Sequence, residues 1–220
     1  TLSKVCEGKT PSEILNISVA DIACGSGIFL EEAFAYLQDY CVQWYICNGQ
    51  TDHLIETGID LYKLPLQEKK DILCSCIYGI DIDIHAVEVA KFSLLIKLIE
   101  DETAPSVSEV VPILPDLGDN IQFGNSLVSQ TELNGISGAN HQMMEIAPFD
   151  WSTINNGCGF DVIIGNPPYV NTEGMHALLP SAEVEVYKKK YKTSHKQFDK
   201  YFIFIEQAIN KINENGLVCY

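Results

Sequence analysis

The residues best suited to chemistry form one short turn, Asn166-Pro167-Pro168-Tyr169. They follow an apolar run, GFDVII, that predicts a buried strand. Two consecutive prolines fix the backbone angle φ, so the turn is rigid and holds a side-chain amide and an aromatic ring in set positions. Such a turn directly after a strand is either a site for a ligand or a plain structural turn.

A glycine-rich turn, DIACGSG, follows another apolar run near the start of the chain. Gly25 and Gly27 allow a sharp bend and a close approach of the backbone to a ligand. The turn leads into a predicted helix, whose first N–H groups attract an anionic group. Asp21, at the strand end, suits a cationic amino group. Leu30 stands where the dinucleotide fingerprint G-x-G-x-x-G has its third glycine, so the spacing departs from that motif.

Two further strand ends carry polar side chains. Asp81, in YGIDID, is placed to accept hydrogen bonds from both hydroxyls of a ribose, and Ile82 could pack on an adenine. Asp83 is better explained as the N-cap of the next helix. Asn125, in FGNSL, either reads an adenine edge or is a turn residue. With the glycine turn, these residues predict a site for a ribose, a base and a zwitterionic tail, which are the parts of S-adenosylmethionine. A nucleotide di- or triphosphate fits less well, because no lysine follows the glycines.

These motifs must be positioned by the elements around them. Short apolar runs alternate with amphipathic segments such as IFLEEAFAYLQDYCVQWYI and IHAVEVAKFSLLIKLIE. The alternation predicts an α/β fold, with a mostly parallel sheet and helices on both faces. Ligands of such sheets bind at the carboxyl ends of the strands, where every motif lies. Gly216 is expected to cap the last helix. Residues 48–72 are expected to be a helical insertion, and residues 101–120 and 129–159 long loops.

Composition limits the function further. The 220 residues, 46% of them hydrophobic, fit a single catalytic domain over 1–220, and no apolar stretch reaches the roughly 18 residues of a membrane span. The net charge of −16 argues against a DNA-binding face carried by this chain alone. The lysines between positions 188 and 200 form either a solvated helix face or a phosphate-facing cluster. Eight scattered cysteines indicate a cytoplasmic location, and Cys24, Cys76 and Cys219 are expected to pack as small hydrophobic residues.

Four segments in order, DIACGSGIFL, YGIDIDIHAVEVAK, LPDLGDNIQFGNSL and FDVIIGNPPYV, resemble the N6-adenine DNA methyltransferases of restriction–modification systems. The likeness covers residues 17–220 and is greatest to large single-chain enzymes that fuse methylase and nuclease, and to phage-defence methylases. It implies a Rossmann-like S-adenosylmethionine-dependent fold, truncated at both ends in this chain. It also implies site-specific methyl transfer to adenine N6 in double-stranded DNA.

The resemblance assigns roles to the motif residues. Asn166 and the Pro167 carbonyl would accept the two N6 hydrogens of an adenine flipped out of the duplex. Pro168 would stiffen the turn, and Tyr169 would stack on the base. No metal ion is expected, and Phe198 could wall the pocket. The residues expected to bind S-adenosylmethionine are Asp21, Ala23, Gly25 and Gly27 at its methionine end, Asp81 at the ribose, Ile82 at the adenine, and Asn125, where many relatives have Asp, at the adenine amino group.

Other expectations concern the rest of the protein. The chain begins without Met and stops inside a predicted strand, so we expect a piece of a longer protein whose DNA-recognition region, and any nuclease region, lie elsewhere. Alone, it should fold, bind the cofactor weakly or not at all, and leave DNA unmethylated. Tyr201, Phe202 and Phe204 are expected in the core. Two alternatives stay open: a methyltransferase with the same turn that acts on RNA or on protein glutamine, and a non-catalytic subunit that keeps the fold.

Overall fold

A five-stranded parallel sheet forms the centre of the computed structural model, which describes residues 1–103 and 110–220. The strands are β1 Val19–Asp21, β2 Ile55–Gly58, β3 Leu61–Lys63, β4 Ile77–Asp81, β5 Ile121–Phe123, β6 Phe160–Ile164 and β7 Ile212–Cys219. In the sheet they stand in the order β5-β4-β1-β6-β7, and a separate antiparallel hairpin contains β2 and β3. The helices are α1 Leu2–Cys6, α2 Pro11–Ile14, α3 Ile28–Cys47, α4 Leu66–Cys76, α5 Ile84–Ile99, α6 Gln130–Leu133, α7 Ala139–Ile146, α8 Thr172–Leu178, α9 Ser181–Lys190 and α10 Lys200–Lys211.

The strand order reverses next to β1. From β1 the chain moves outward through β4 to β5, and then returns to place β6 on the other side of β1. The loops that follow β1 and β6 therefore diverge at the carboxyl edge and leave a crevice between them. The sequence predicted an α/β fold with a mostly parallel sheet whose strands end at the motifs, and the structure confirms this prediction.

Two apolar layers hold the sheet. Successive strand residues point to opposite faces, so Val19 and Val162 enter one layer while Ala20 and Ile163 enter the other. The first layer is covered by α3, α4 and α5, and the second by α9, α10 and part of residues 127–154. Each fully buried aliphatic or aromatic side chain contributes on the order of 2 kcal/mol of apolar burial, so both layers are needed for stability. Helices on both faces were predicted.

Residues 48–72 differ from the helical insertion that the sequence suggested. They contain a single 3-10 turn, the β2–β3 hairpin and the first part of α4. The hairpin pairs Ile55 with Lys63, and Asp60 adopts a φ of 56° at the tip. The helix prediction was wrong at the hairpin because this left-handed residue and Gly58 reverse the chain within a few residues.

Residues 129–159, expected to be a loop, contain the helices α6 and α7. Leu133, Ile146, Phe149 and Ile154 are buried and pack in the second layer. These apolar residues are too widely spaced to predict helices, and the sheet face that buries them is not visible in the sequence. Of the other expected loop, residues 104–109 lie outside the described residues, and 110–120 contain no helix or strand.

The last helix also ends earlier than expected. It stops at Lys211, and Gly216 lies inside β7 instead of capping the helix. The β6–β7 register shifts near this position, and a Cβ on Gly216 would lie 2.5 Å from Ile212 Cγ1. Glycine is therefore needed here for close packing of the strand. Cys24 and Cys76 are buried as predicted, but Cys219 is exposed. In the part of the chain that the structure describes, every helix is too short or too polar to cross a bilayer.

Candidate active site at the carboxyl edge of the sheet

The glycine turn after β1 is shaped by two left-handed residues. Gly25 has a φ of 53° and Gly27 a φ of 89°, both in the region that glycine tolerates best. Gly27 directly precedes α3, and a Cβ on it would lie 3.0 Å from Ala90 Cβ on α5. The turn therefore brings the start of α3 close against α5.

Asp21, at the end of β1, is only 2% exposed. Its Oδ1 accepts a hydrogen bond from Ala23 N at 3.0 Å. Burial raises the pKa of this carboxyl group to about 7, and the negative charge of Asp81 adds to the effect, while the bond from Ala23 opposes it. Gly165 closes the other side, because a Cβ there would lie 2.6 Å from Asp21 Oδ1. The loop after β6 thus covers the Asp21 carboxylate, which was predicted to contact the amino group of a ligand.

Asp81 joins the loops that follow β1 and β4. Its Oδ2 accepts from Gly25 N at 2.7 Å, and its Oδ1 accepts from Asp83 N at 2.9 Å. Asp83 in turn caps α5 by accepting from His85 N, as predicted. Two backbone donors thus hold the partly exposed Asp81 carboxylate in one orientation, and Ile82 beside it is 44% exposed.

Asn125, after β5, is 3% exposed and makes two specific contacts. Its Nδ2 donates to Glu183 Oε1 at 2.9 Å, and its Oδ1 accepts from Leu127 N at 3.1 Å. Glu183 is itself 1% exposed and lies 3.5 Å from Lys200 Nζ. Asn125 is therefore more than a turn residue, because a buried acidic side chain holds its amide.

The turn Asn166-Pro167-Pro168-Tyr169 follows β6. Asn166 and Pro168 are exposed, and Pro167 is buried beneath them. The Tyr169 ring is 68% exposed and stacks on Tyr201, with ring centroids 4.8 Å apart and planes at 11°. Tyr201, expected in the core, instead supports one face of Tyr169 from α10.

Two hydrogen bonds attach the next segment to the start of α10. Lys200 N donates to Val170 O at 2.8 Å, and Val170 N donates to Asp199 Oδ1 at 3.1 Å. Phe198 is 6% exposed and packs in the second apolar layer, and its role as a wall of the cofactor or target pocket stays a prediction. Phe202 is 51% exposed, so its expected place in the core was wrong.

An open cavity of about 300 Å³ lies where these loops meet. That volume is at the lower end of the range for small-molecule sites. A larger cavity, of about 720 Å³ and bordered by Lys190 and Lys211, contains none of the predicted site residues, so its size alone does not make it the candidate site. The smaller cavity is lined by Ile22, Ala23, Asp81, Ile82, Gly124, Asn125, Ser126, Asn166, Pro168, Lys200 and Phe204.

The predicted site residues thus divide into two groups. Those in the cavity wall come from both proposed halves of the site: Ala23, Asp81, Ile82 and Asn125 from the cofactor half, and Asn166 and Pro168 from the catalytic half. The others support the wall or lie beside it: Asp21, Gly25, Gly27, Pro167 and Tyr169.

A model of one protein family matches residues 75–220, about two thirds of the chain, and is described as the Eco57I restriction-modification methylase. The chain belongs to this family. It is 46% identical over its whole length to the type II restriction enzyme and methyltransferase RM.Eco57I of Escherichia coli. It is also 34% identical over 137 residues to the putative enzyme RM.MjaORFECS2P of Methanocaldococcus jannaschii. The chain spans 21% and 11% of these two relatives.

Two solved structures share the fold of this Eco57I-family chain. A nuclease-deletion mutant of the Type ISP enzyme LlaGI, in complex with a DNA substrate mimic, matches 99% of the chain with a TM-score of 0.53 and 17% identity. The Type IIL enzyme MmeI, in complex with DNA, matches 94% with a TM-score of 0.50 and 18% identity. The chain covers 16% and 24% of those proteins. At these identities the likeness concerns the fold alone.

Sequence reasoning did not find Glu183 and Lys200 in this Eco57I-family site. Lys200 was grouped with the lysines that precede it, several of which are engaged at the surface. Lys189, for example, pairs with Glu185 at 2.7 Å on exposed parts of α9. The only signal for Glu183 was an acidic residue inside the alternating segment AEVEV. That signal does not show that Glu183 contacts Asn125 at the end of β5.

Proposed function

We propose that the full-length protein is a site-specific DNA methyltransferase. It transfers a methyl group from S-adenosylmethionine to adenine N6 in double-stranded DNA, within a restriction–modification or phage-defence system. The observation that carries the proposal is the cavity at the carboxyl edge. Its wall combines Asn166 and Pro168 of the catalytic turn with Asp81 and Asn125 of the cofactor half. Family membership supports the same activity.

The residues at this edge fit the proposed cofactor. Asp81 would accept the ribose hydroxyls, because its carboxylate is already oriented by Gly25 N and Asp83 N and keeps unused lone pairs. Ile82 is exposed enough to pack on the adenine. When bound, S-adenosylmethionine supplies an electrophilic methyl group on a positively charged sulfur.

The catalytic turn would prepare the target amine. The lone pair of adenine N6 is delocalised into the ring, so the amino group is a poor nucleophile. The Asn166 side-chain oxygen and the Pro167 carbonyl would accept its two hydrogens, which favours tetrahedral geometry and localises the lone pair on nitrogen. Because prolines fix φ, these acceptors need no rearrangement when the base arrives. Tyr169, held by Tyr201, would stack on the flipped base.

Contacts with DNA are proposed mainly for other parts of the protein. The 220 residues carry a net charge of −16, which repels phosphates. Exposed lysines such as Lys192 and Lys196 lie near the catalytic turn in sequence, but their charge is small against this total. Since the chain spans 21% of RM.Eco57I, target recognition and any nuclease activity would belong to the remaining length. The cytoplasmic location also stays a prediction.

We further propose that residues 1–220 alone neither bind the cofactor tightly nor methylate DNA. The sheet edge leaves Tyr169 and Ile82 widely exposed, so the pocket needs additional walls. Calorimetry with S-adenosylmethionine should show no binding, or a Kd far weaker than that of the full-length protein. Equal Kd values for the two proteins would refute this part of the proposal.

The test of function uses the full-length protein in a host without DNA methylases of its own. Sequencing of host DNA should find N6-methyladenine in one recognition motif, and Asn166→Ala should abolish it. Asn140→Ala, the same change at an exposed position of α7, should leave methylation intact. Unmodified DNA in the presence of folded wild-type protein would refute the proposal and favour an RNA or protein substrate, or a non-catalytic subunit.

A further inference from the structure

Glu183 is an acidic side chain in the interior that none of the proposed steps uses. It lies on α9 and is 1% exposed. Its Oε1 faces three donors: Asn125 Nδ2 at 2.9 Å, Lys200 Nζ at 3.5 Å, and the hydroxyl of Tyr187 in a short hydrogen bond. A carboxylate can only accept, so all three groups must donate to it. A buried charge with a cation and two further donors is a satisfied site, which explains how Glu183 can remain inside the protein.

This arrangement sets the orientation of the Asn125 amide. Glu183 requires a donor, so the NH₂ group must point toward it. Leu127 N, 3.1 Å away on the other side, requires an acceptor, so the amide oxygen must point there. Rotating the amide by 180° would place its oxygen against a carboxylate and its NH₂ against an N–H group. Only one orientation therefore satisfies both neighbours.

The fixed amide still has unused bonding capacity. Its NH₂ group is engaged by Glu183 and also hydrogen-bonds Tyr187, whereas Leu127 N takes only one of the two lone pairs of the amide oxygen. Asn125 lines the cavity beside Asp81 and Ile82, the residues proposed to hold the ribose and adenine. The remaining lone pair of the oxygen suits an adenine edge, because it can accept a hydrogen bond from the adenine amino group.

We propose that Glu183 is a positioning residue that holds the Asn125 amide for the cofactor adenine, and that its charge selects Asn over Asp at position 125. The inference rests on the proposed function. An Asp at this position would place two carboxylates within about 3 Å in a buried site, where like charges cannot both ionise. Lys200 compensates one negative charge, and two would exceed it.

The proposal is tested by exchanging the two groups in the full-length protein. The variants are Asn125→Asp, Glu183→Gln and the double variant, compared by calorimetry with S-adenosylmethionine and by the KM and kcat of DNA methylation. The double variant moves the carboxylate to position 125 and the amide to position 183, so the net charge of the pair is unchanged. Glu185→Gln, on the exposed side of the same helix, is the matched control.

Asn125→Asp should raise the KM for S-adenosylmethionine at least tenfold with a smaller change in kcat. Glu183→Gln should raise it severalfold, because a neutral amide no longer dictates which end of Asn125 faces it. The double variant should recover to within about threefold of wild type. The control should match wild type.

Three results would overturn the inference. The first is an Asn125→Asp protein that binds as tightly as wild type. The second is a double variant no better than Asn125→Asp. The third applies if Asn125→Asp does not fold. It is a double variant that folds but binds S-adenosylmethionine no better than Glu183→Gln does. A folded wild-type protein that binds no S-adenosylmethionine would overturn the proposed function as well, so the two failures are distinguishable.

Discussion

The buried carboxyl group of Asp21 should make the stability of this chain depend on pH. Burial raises its pKa to about 7, against an ordinary value of 3.8 for an aspartate side chain. The folded protein therefore binds this proton more tightly than the unfolded chain. As a result, the free energy of unfolding falls as pH rises from about 4 to about 7 and then levels off. At 1.36 kcal/mol per pH unit, the total loss is roughly 4 kcal/mol.

Asp21→Asn removes the titration while it keeps the size of the side chain and an oxygen for the bond from Ala23 N. Relative to wild type, the variant should gain stability as pH rises, by roughly 2 kcal/mol between pH 5 and pH 7 and by roughly 0.4 kcal/mol from pH 7 to pH 8. Urea unfolding of residues 1–220 at these values measures the difference. Asp52→Asn, at an exposed carboxylate, is the control.

A difference between Asp21→Asn and wild type that does not change with pH would refute the reasoning. It would mean that the folded protein lets Asp21 ionise as freely as the unfolded chain does. The same titration bears on the proposed contact with the methionine amino group. A cation beside Asp21 would lower its pKa. Bound S-adenosylmethionine should therefore flatten the pH dependence of the free energy of unfolding in the full-length wild-type protein. It should not change that pH dependence in the Asp21→Asn variant.

Three further predictions concern the surroundings of the site. Gly165→Ala should destabilise the chain by about 2 kcal/mol or more in urea unfolding, because its Cβ would lie 2.6 Å from a buried carboxylate oxygen; Gly135→Ala, also at positive φ but with open space around it, should lose only about 1 kcal/mol. Tyr169→Ala should lower the kcat of the full-length protein about tenfold or more, whereas Tyr169→Phe should keep most of the rate because the stack on α10 needs only the ring; equal rates would contradict the stacking role. Asp81→Asn should weaken S-adenosylmethionine binding about 10- to 100-fold in calorimetry, since it removes a charged acceptor, and Asp83→Asn, which can still cap α5, should bind like wild type.

Local signals in the sequence were sufficient to predict the parallel sheet and the placement of the motif residues at its carboxyl edge. The helical spacing of α3 and α5 and the apolar runs before each motif depend on near neighbours, so they could be identified without knowing the fold. Asp83 as a helix cap followed from the same local logic. Because parallel strands end at a common edge, motifs at four strand ends had to lie together.

Predictions failed where a turn or a distant surface decided the structure. The hairpin at residues 55–63 was expected to be helical, and residues 129–159 were expected to be a loop, yet the latter contribute α6 and α7 to a buried layer. Gly216 was read as a helix cap because glycine after an amphipathic segment often has that role. Its actual constraint is a close contact inside β7, which only the register with β6 reveals.

By itself, the sequence determined the alternation of the central strands with their main helices, the glycine and proline turns, and the residues that these turns carry to one edge. Only the tertiary structure decided how those residues are charged and held. Asp21 is sealed beneath Gly165, and Asn125 is oriented by Glu183, which is 58 positions away in the chain. The physical reason is that burial and electrostatic pairing depend on groups brought together by the whole fold, whereas spacing and turn chemistry act over a few neighbouring residues.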